Sequence, residues 1–503
     1  MSEFSPSRKL LYGFMAVLGF SFWFFLAYPF ANHNESFVIV TQLEQMDLSD
    51  VLTDRIYPVA NYRPLGQAVA WVGYHIGGGN SSAVQLFNYI VAAIAWLVLF
   101  FALREHRVFS YAAFVVGGFL FPGYIYLFHL HGVFYSPLLL LLAVLFLLET
   151  RPLSAGVLWA AAFTALVAAF FHPYALPILV AALVGFTLER PREFGAFGRI
   201  LGGVVLGAVT LLVVMVILPR HDSALTSHEM LSGLVTSYRM TEVNAAVSVV
   251  VAVLAVLTAW SYPVQAKVRW LVLIASLAGI ALALVLGLPV LFVWIGVTLV
   301  KLVLMKKWWL VFVIGGTAML PAPAASGSPT YAIFVIMSCT GALALSWGEA
   351  EARLARWGDG LAILLIATTL IVFALFRSGV EIPVLSRVAH PIFAERERTF
   401  QLEEIVSWLV RSEYARYEPV LLNKSGNPRL APDAVERAHR PPTIQEYLSK
   451  YTRYKRQNEA LPGKTVLIGF GGEEVPGGTL LYSVDSQHAG QACVFLPPSP
   501  EGK

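Results

Sequence analysis

About thirteen apolar runs, most of about 17–21 residues, recur along this chain, and that is the length a helix needs to cross the hydrocarbon of a bilayer. They fall near 10–29, 82–103, 108–127, 133–149, 154–171, 174–188, 200–218, 244–261, 269–287, 289–305, 308–325, 329–347 and 360–376. The expected fold is therefore an all-α polytopic membrane protein over 1–376. A soluble domain carries roughly 25% charged residues, whereas this chain of 503 residues carries 13% against 57% hydrophobic. The first run follows Arg8 and Lys9 and ends at Tyr28-Pro29-Phe30, without a small-residue cleavage site, so it reads as a retained span.

The basic residues predict the orientation. With the N-terminus inside, fifteen Lys and Arg, among them Arg8, Arg104, Arg107, Arg151, Lys267 and Lys307, sit at cytoplasmic ends. The outer loops before the last span hold Arg55, Arg63, Arg220 and Arg239. Such a bias predicts a multi-pass protein of the plasma (inner) membrane with a cytoplasmic N-terminus. An odd number of spans then puts 377–503 outside, as a small extracytoplasmic α/β domain. There Leu402, Ile405, Trp408 and Leu409 form one helix stripe, and Thr465–Phe470 and Thr479–Val484 read as two strands joined by a Gly-rich turn. Gly469-Phe470-Gly471-Gly472 is read as a turn, and no P-loop or dinucleotide fingerprint occurs. A net charge of +4 gives no sign of nucleic acid, and two cysteines, Cys339 and Cys493, make no disulfide framework or cysteine metal site.

The richest chemistry lies in the first outer loop, 30–80. It holds Glu35, Asp47, Asp50, Asp54 and the pair Arg63-Pro64. From Phe37, residues Val38, Val40, Leu43, Met46 and Leu48 make an imperfect apolar face; from Pro64, residues Leu65, Val69, Val72 and Ile76 make a regular one. Pro64 suits a first helical turn and Gly77-Gly78-Gly79 a helix end. Both segments are expected to be interfacial helices in the headgroup plane. Other outward positions are also polar: His129, His131 and Tyr135; His172 before Pro173; and the 219–243 loop with Arg220, His221, Asp222, His228, Glu229, Tyr238 and Arg239.

The stretches 62–71 (YRPLGQAVAW) and 77–89 (GGGNSSAVQLFNY), with 132–142 (GVFYSPLLLLL) and 170–177 (FFHPYALP), resemble the GT-C glycosyltransferases. Within them the likeness is to the protein mannosyltransferase and aminoarabinose-transferase-like enzymes, and it covers roughly 10–190. It implies a polyprenyl-phosphate-linked sugar as donor and transfer on the outer face of the membrane. The family's Asp-Glu pair falls on Asn34-Glu35, where the first acid has become an amide, so the base role passes to Glu35. The family's phosphate-contacting basic residue falls on Arg63, and its later basic residue before proline on His172.

Glycosyl transfer needs a base for the acceptor hydroxyl and cations for the departing phosphate. Glu35 is the expected catalytic base, and a carboxylate at bilayer depth is costly enough to point to function. Arg63, with Arg239 or Arg220, would hold the donor phosphate; Asn34, His131, Tyr135 and His172 would line the sugar or acceptor pocket. Glu35 as a helix cap and Arg63 as a headgroup anchor remain open readings. The sequence fixes no cofactor, although His129, His131, His221 and His228 with Asp222 or Glu229 leave a divalent metal possible. Expected partners are the lipid-linked sugar, the bilayer, and a glycan, glycolipid or protein acceptor. An O-antigen-type polymerase or ligase is the alternative enzyme; a transporter is the alternative class, although the spans show few acids and no internal symmetry.

Overall fold

In the computed structural model the chain is a helical bundle with a four-stranded sheet near its C-terminus. It describes residues 5–29, 46–53, 63–79, 81–104, 106–120, 127–150, 155–172, 174–189, 227–242, 245–261, 266–322, 329–347, 351–380, 411–421, 465–470, 477–487 and 489–497, with Ile39, Leu43, Val475 and scattered positions between 382 and 409. In chain order the helices are α1 (Pro6–Ala27), α2 (Leu48–Thr53), α3 (Pro64–Ile76), α4 (Ser82–Leu103), α5 (Arg107–Phe119), α6 (Ser136–Thr150), α7 (Ala155–Phe171) and α8 (Ala175–Glu189). Then come α9 (Ser227–Thr241), α10 (Ala245–Trp260), α11 (Ala266–Leu286), α12 (Leu291–Leu304), α13 (Trp308–Met319), α14 (Pro329–Leu345) and α15 (Glu351–Arg377).

Among the described residues five stretches are helical, long and apolar enough to cross a bilayer: Pro6–Ala27, Ser82–Leu103, Leu130–Thr150, Lys267–Leu286 and Trp357–Arg377. The pair α9 and α10 is bent by 103°, and Arg107–Gly118, Leu291–Leu304, Trp308–Met319 and Thr330–Leu345 are shorter apolar helices. The run expected at 200–218 lies outside the described residues. Helices α11 and α15 turn large side chains outward, with Val285 81% and Trp357 80% exposed. Apolar surface of that extent is costly in water and suits hydrocarbon. Close approach of small residues packs the bundle: a Cβ on Gly19 would meet the Phe114 backbone at 2.6 Å, and one on Gly117 the Phe20 nitrogen at 2.6 Å. Backbones in contact are how helices associate where lipid removes the hydrophobic drive.

Ion pairs and hydrogen bonds sort the helix termini into two ends. At the first, Arg8 pairs with Asp359 at 3.0 Å and Tyr12 donates to Asp359 at 2.6 Å. Lys307, in the turn before α13, reaches Glu149 at 2.5 Å and Glu189 at 3.0 Å. Those carboxylates hold the ammonium protonated against the pull of burial, which on its own would lower its pKa. At the opposite end Tyr28 donates to the Ser82 carbonyl at 3.2 Å, and α2 and α3 lie there.

The loop helices form as their sequence dictates. Asp47 caps α2, accepting from the Ser49 and Asp50 backbone N–H groups at 2.9 and 3.0 Å and from the Ser49 hydroxyl, bonds that hold its carboxyl below the usual range. Helix α3 starts at Pro64 and ends at Ile76, followed by Gly78 and Gly79 at φ 70° and 86°. Its Leu65, Val72 and Ile76 point outward while Gly66, Gln67, Ala70 and Tyr74 are buried. Three of the four predicted stripe residues therefore face away from the protein, while the fourth, Val69, packs against the core. From the first segment Ile39 and Leu43 are helical and fully buried.

The sheet corrects one expectation. Strands β2 (Thr465–Phe470) and β3 (Thr479–Val484) are present at the predicted positions, but they are not neighbours. With β1 (Glu418–Leu421) and β4 (Ala492–Leu496) the order is β1-β2-β4-β3, β1 parallel to β2 and the rest antiparallel. Strand β4 reads AlaCysValPheLeu and is buried on four of five positions, which suits a central strand. Ile405 and Leu409 of the predicted stripe are buried with Val466, Ile468 and Val494 in one apolar cluster. That cluster continues through Ile39, Leu43, Val51, Tyr74 and Phe134, so the sheet and the first-loop helices share a core.

Candidate functional site

Arg63 occupies the N-cap of α3, half-buried, and its position is fixed by Gln67. The Gln67 side chain accepts from the Arg63 backbone N–H at 3.2 Å and donates to the Val51 carbonyl at 2.8 Å, tying α3 to α2. Trp71 adds a second tie, donating to the Met46 carbonyl at 2.9 Å. The guanidinium lies over the Phe134 ring at 4.9 Å and the Tyr135 ring at 5.6 Å. Cation–π contacts of this kind contribute roughly 0.5–2 kcal/mol each, far less than burial of a charge costs without a counter-ion. Among the described residues no carboxylate pairs with Arg63, and its Nε is buried without an acceptor.

Phe134 and Tyr135 are held by the 3₁₀ turn Leu130–Phe134. Asn88 of α4, fully buried, donates to the His129 carbonyl at 2.7 Å and accepts from the Ser136 hydroxyl at 3.5 Å, anchoring both ends of the turn. His131 is buried with its ring 6.1 Å from His129 and 6.2 Å from Tyr135.

From the turn between α7 and α8 comes His172, buried, its ring 4.9 Å from Tyr135 and 4.5 Å from Tyr174. Its Nδ1 accepts from the Tyr174 backbone N–H at 3.2 Å, so the neutral ring carries its proton on Nε2. That Nε2 is buried and has no acceptor among the described residues. Desolvation, with the Arg63 guanidinium adding to it, holds the His172 pKa well below the usual histidine range. Tyr331, from the start of α14, closes the cluster: its ring is 5.4 Å from Tyr135 and 5.5 Å from Tyr174, with the Tyr135 and Tyr331 hydroxyls 3.4 Å apart.

Neutral His172 has a thermodynamic consequence. Below about pH 6.5 the unfolded imidazole takes a proton that the folded one refuses, so stability falls as pH drops, by at most about 1.4 kcal/mol per unit. His172→Gln is expected to flatten the acid side of the thermal-stability profile between about pH 6.5 and 5. Identical slopes for the two proteins in detergent would contradict the neutral assignment.

The structure thus brings Arg63, Tyr135, His131 and His172 together, and adds Gln67, Asn88, Tyr174 and Tyr331. Arg239 donates to the Gly287 carbonyl at 2.6 Å, between α11 and α12. Nearby, Glu242 accepts from the Val290 and Leu291 backbone N–H groups at 3.0 and 2.6 Å, capping α12, and burial raises its pKa. Arg239 and Glu242 together staple the α9–α10 corner to the α11–α12 turn. Asn34, Glu35 and Arg220 lie outside the described residues, as do His221 and Asp222. Among the described residues no group of three His, Cys, Asp or Glu side chains is placed to hold a metal ion.

Chemically, the cluster offers one fixed positive charge, an imidazole N–H and three phenol hydroxyls. That set of donors suits an oxyanion. What fold and site define is a bundle of bilayer-length apolar helices with a basic, aromatic pocket at the end carrying the sheet. No protein-family model, curated protein or solved structure matches the chain.

Proposed function

We propose that the protein is a membrane glycosyltransferase of GT-C type, moving a sugar from a polyprenyl-phosphate donor to a glycan, glycolipid or protein acceptor on the outer face of the plasma membrane. The observation that carries this reading is Arg63, a guanidinium without a carboxylate partner among the described residues, facing His172 and three tyrosines. A half-buried cation in that condition suits an anionic ligand. In this reading the fuller set of about thirteen spans runs with the N-terminus cytoplasmic, and the sheet domain helps to position the acceptor.

Transfer begins with the acceptor hydroxyl attacking the anomeric carbon as the bond to the phosphate oxygen breaks. The hydroxyl proton goes to Glu35, and the configuration inverts. Arg63 takes the charge that develops on the departing phosphate, helped by the His172 N–H and the phenols. His131 and Tyr135 line the sugar side.

Mass spectrometry of cell-envelope glycans from cells with and without the protein tests this directly. A sugar substituent is expected to disappear without it, and Glu35→Gln at normal protein level is expected to reproduce the loss. Unchanged glycans in the deleted cells would overturn the proposal, whereas full transfer by Glu35→Gln would move the base elsewhere.

A further inference from the structure

The Arg63 guanidinium meets two ring faces, Phe134 and Tyr135, and contacts of that kind leave a planar fork free to slide and turn over the ring. Its Nε is buried without an acceptor among the described residues. Where the fork points is therefore decided further back, by how the Arg63 backbone is held. Both polar groups of that backbone are held by one residue. The Gln67 side-chain oxygen accepts from the Arg63 N–H at 3.2 Å, and the Gln67 backbone N–H donates to the Arg63 carbonyl at 2.9 Å, the ordinary first bond of the helix. The Gln67 amide nitrogen donates to the Val51 carbonyl at 2.8 Å, which turns the amide so that its oxygen faces Arg63. Gln67 is buried, so bulk water does not compete for these bonds.

We infer that Gln67 is a positioning residue for the phosphate group of the ligand: its side chain fixes the Arg63 backbone and so aims the guanidinium before the ligand arrives. The inference rests on the phosphate reading of the Arg63 pocket. A cation aimed in advance keeps the ordering of a long, rotamer-rich side chain out of the binding step. Gln67 also ties α3 to α2, and Trp71 separates the two roles. It makes the same kind of tie, donating to the Met46 carbonyl at 2.9 Å, with no hydrogen bond to Arg63 among the described residues.

A double-mutant cycle on the full chain in mild detergent provides the test, with a short-chain polyprenyl phosphate as the probe and its binding measured by thermophoresis. Gln67→Met keeps the length and bulk but loses the acceptor and the donor, and is expected to weaken binding about tenfold. In Arg63→Gln, about 100-fold weaker than wild type, the same change is expected to cost less than about twofold, because no guanidinium is left to aim. Trp71→Phe is expected to lower the unfolding temperature and leave binding within about twofold. Equal losses from Gln67→Met in both backgrounds would mean a general loosening of the pocket and overturn the inference, as would full binding by a folded Gln67→Met protein. Gln67→Leu is read in the same way if the Met variant does not fold. Wild-type protein that does not bind the probe, or Arg63→Gln that binds it as tightly as wild type, instead removes the phosphate reading and the inference with it.

Discussion

Arg63→Gln is expected to lower sugar transfer by about 100-fold or more, because a charge-assisted, two-pronged contact to phosphate contributes roughly 3 kcal/mol that an amide cannot supply. Arg63→Lys is expected to fall between the two, keeping the charge but losing both the fork and the flat stacking on Phe134 and Tyr135. Stability should move the other way. Arg63 is a half-buried cation with no carboxylate partner among the described residues, so removing the charge is expected to leave the ligand-free protein as stable or slightly more stable. Opposite signs for activity and stability mark a residue kept for its ligand and not for the fold. Arg239→Gln provides the contrast: its guanidinium is already engaged with the Gly287 carbonyl, and the variant is expected to keep transfer within about fivefold. Transfer kinetics and thermal unfolding in detergent check both; near-normal transfer by Arg63→Gln would remove the phosphate assignment.

Much of this pocket was legible because its parts announce themselves locally. Pro64 and the triple glycine bracket α3, so Arg63 is legible as an N-cap, and the His-Pro step marks the α7 end that carries His172. Gln67 and Asn88 are not legible in that way. Each is an amide on an apolar helix, and only the carbonyls of Val51 and His129 across the fold give them a role. Tyr331 is further out of reach, meeting a tyrosine 196 residues away in the chain. The strands show the same division: β2 and β3 follow from their own residues, but the insertion of β4 between them is a long-range pairing. Periodicity also leaves the sense of α3 undecided, since a stripe facing lipid and one facing a protein core are both apolar. Here the small residues Gly66 and Ala70 take the protein side, which is the packing rule of bilayers and not of water.

Gly132→Ala is expected to be the most damaging small substitution at this end of the bundle. A Cβ there would lie 1.8 Å from the Leu127 carbonyl oxygen and 2.5 Å from its carbon, and 3.0 Å from the Asn88 amide nitrogen. Leu127 presents backbone at that point, so no rotamer change relieves the contact and the 3₁₀ turn itself has to move. Overpacking of a closed site costs typically 1–3 kcal/mol, and a backbone clash of this depth belongs at or above the top of that range. The movement also strains the Asn88 bond to His129 and carries Phe134 and Tyr135 away from the Arg63 guanidinium. Loss of stability and loss of transfer are therefore expected together, in contrast to Arg63→Gln, where they separate. Gly118→Ala on α5 is the matched control: a Cβ there meets nothing within 4 Å, and replacing a helical glycine is expected to be neutral or to add about 0.5–1 kcal/mol. A Gly132→Ala protein that unfolds at the wild-type temperature would mean that the turn is looser than its contacts require, and with it the placement of Tyr135 beside Arg63.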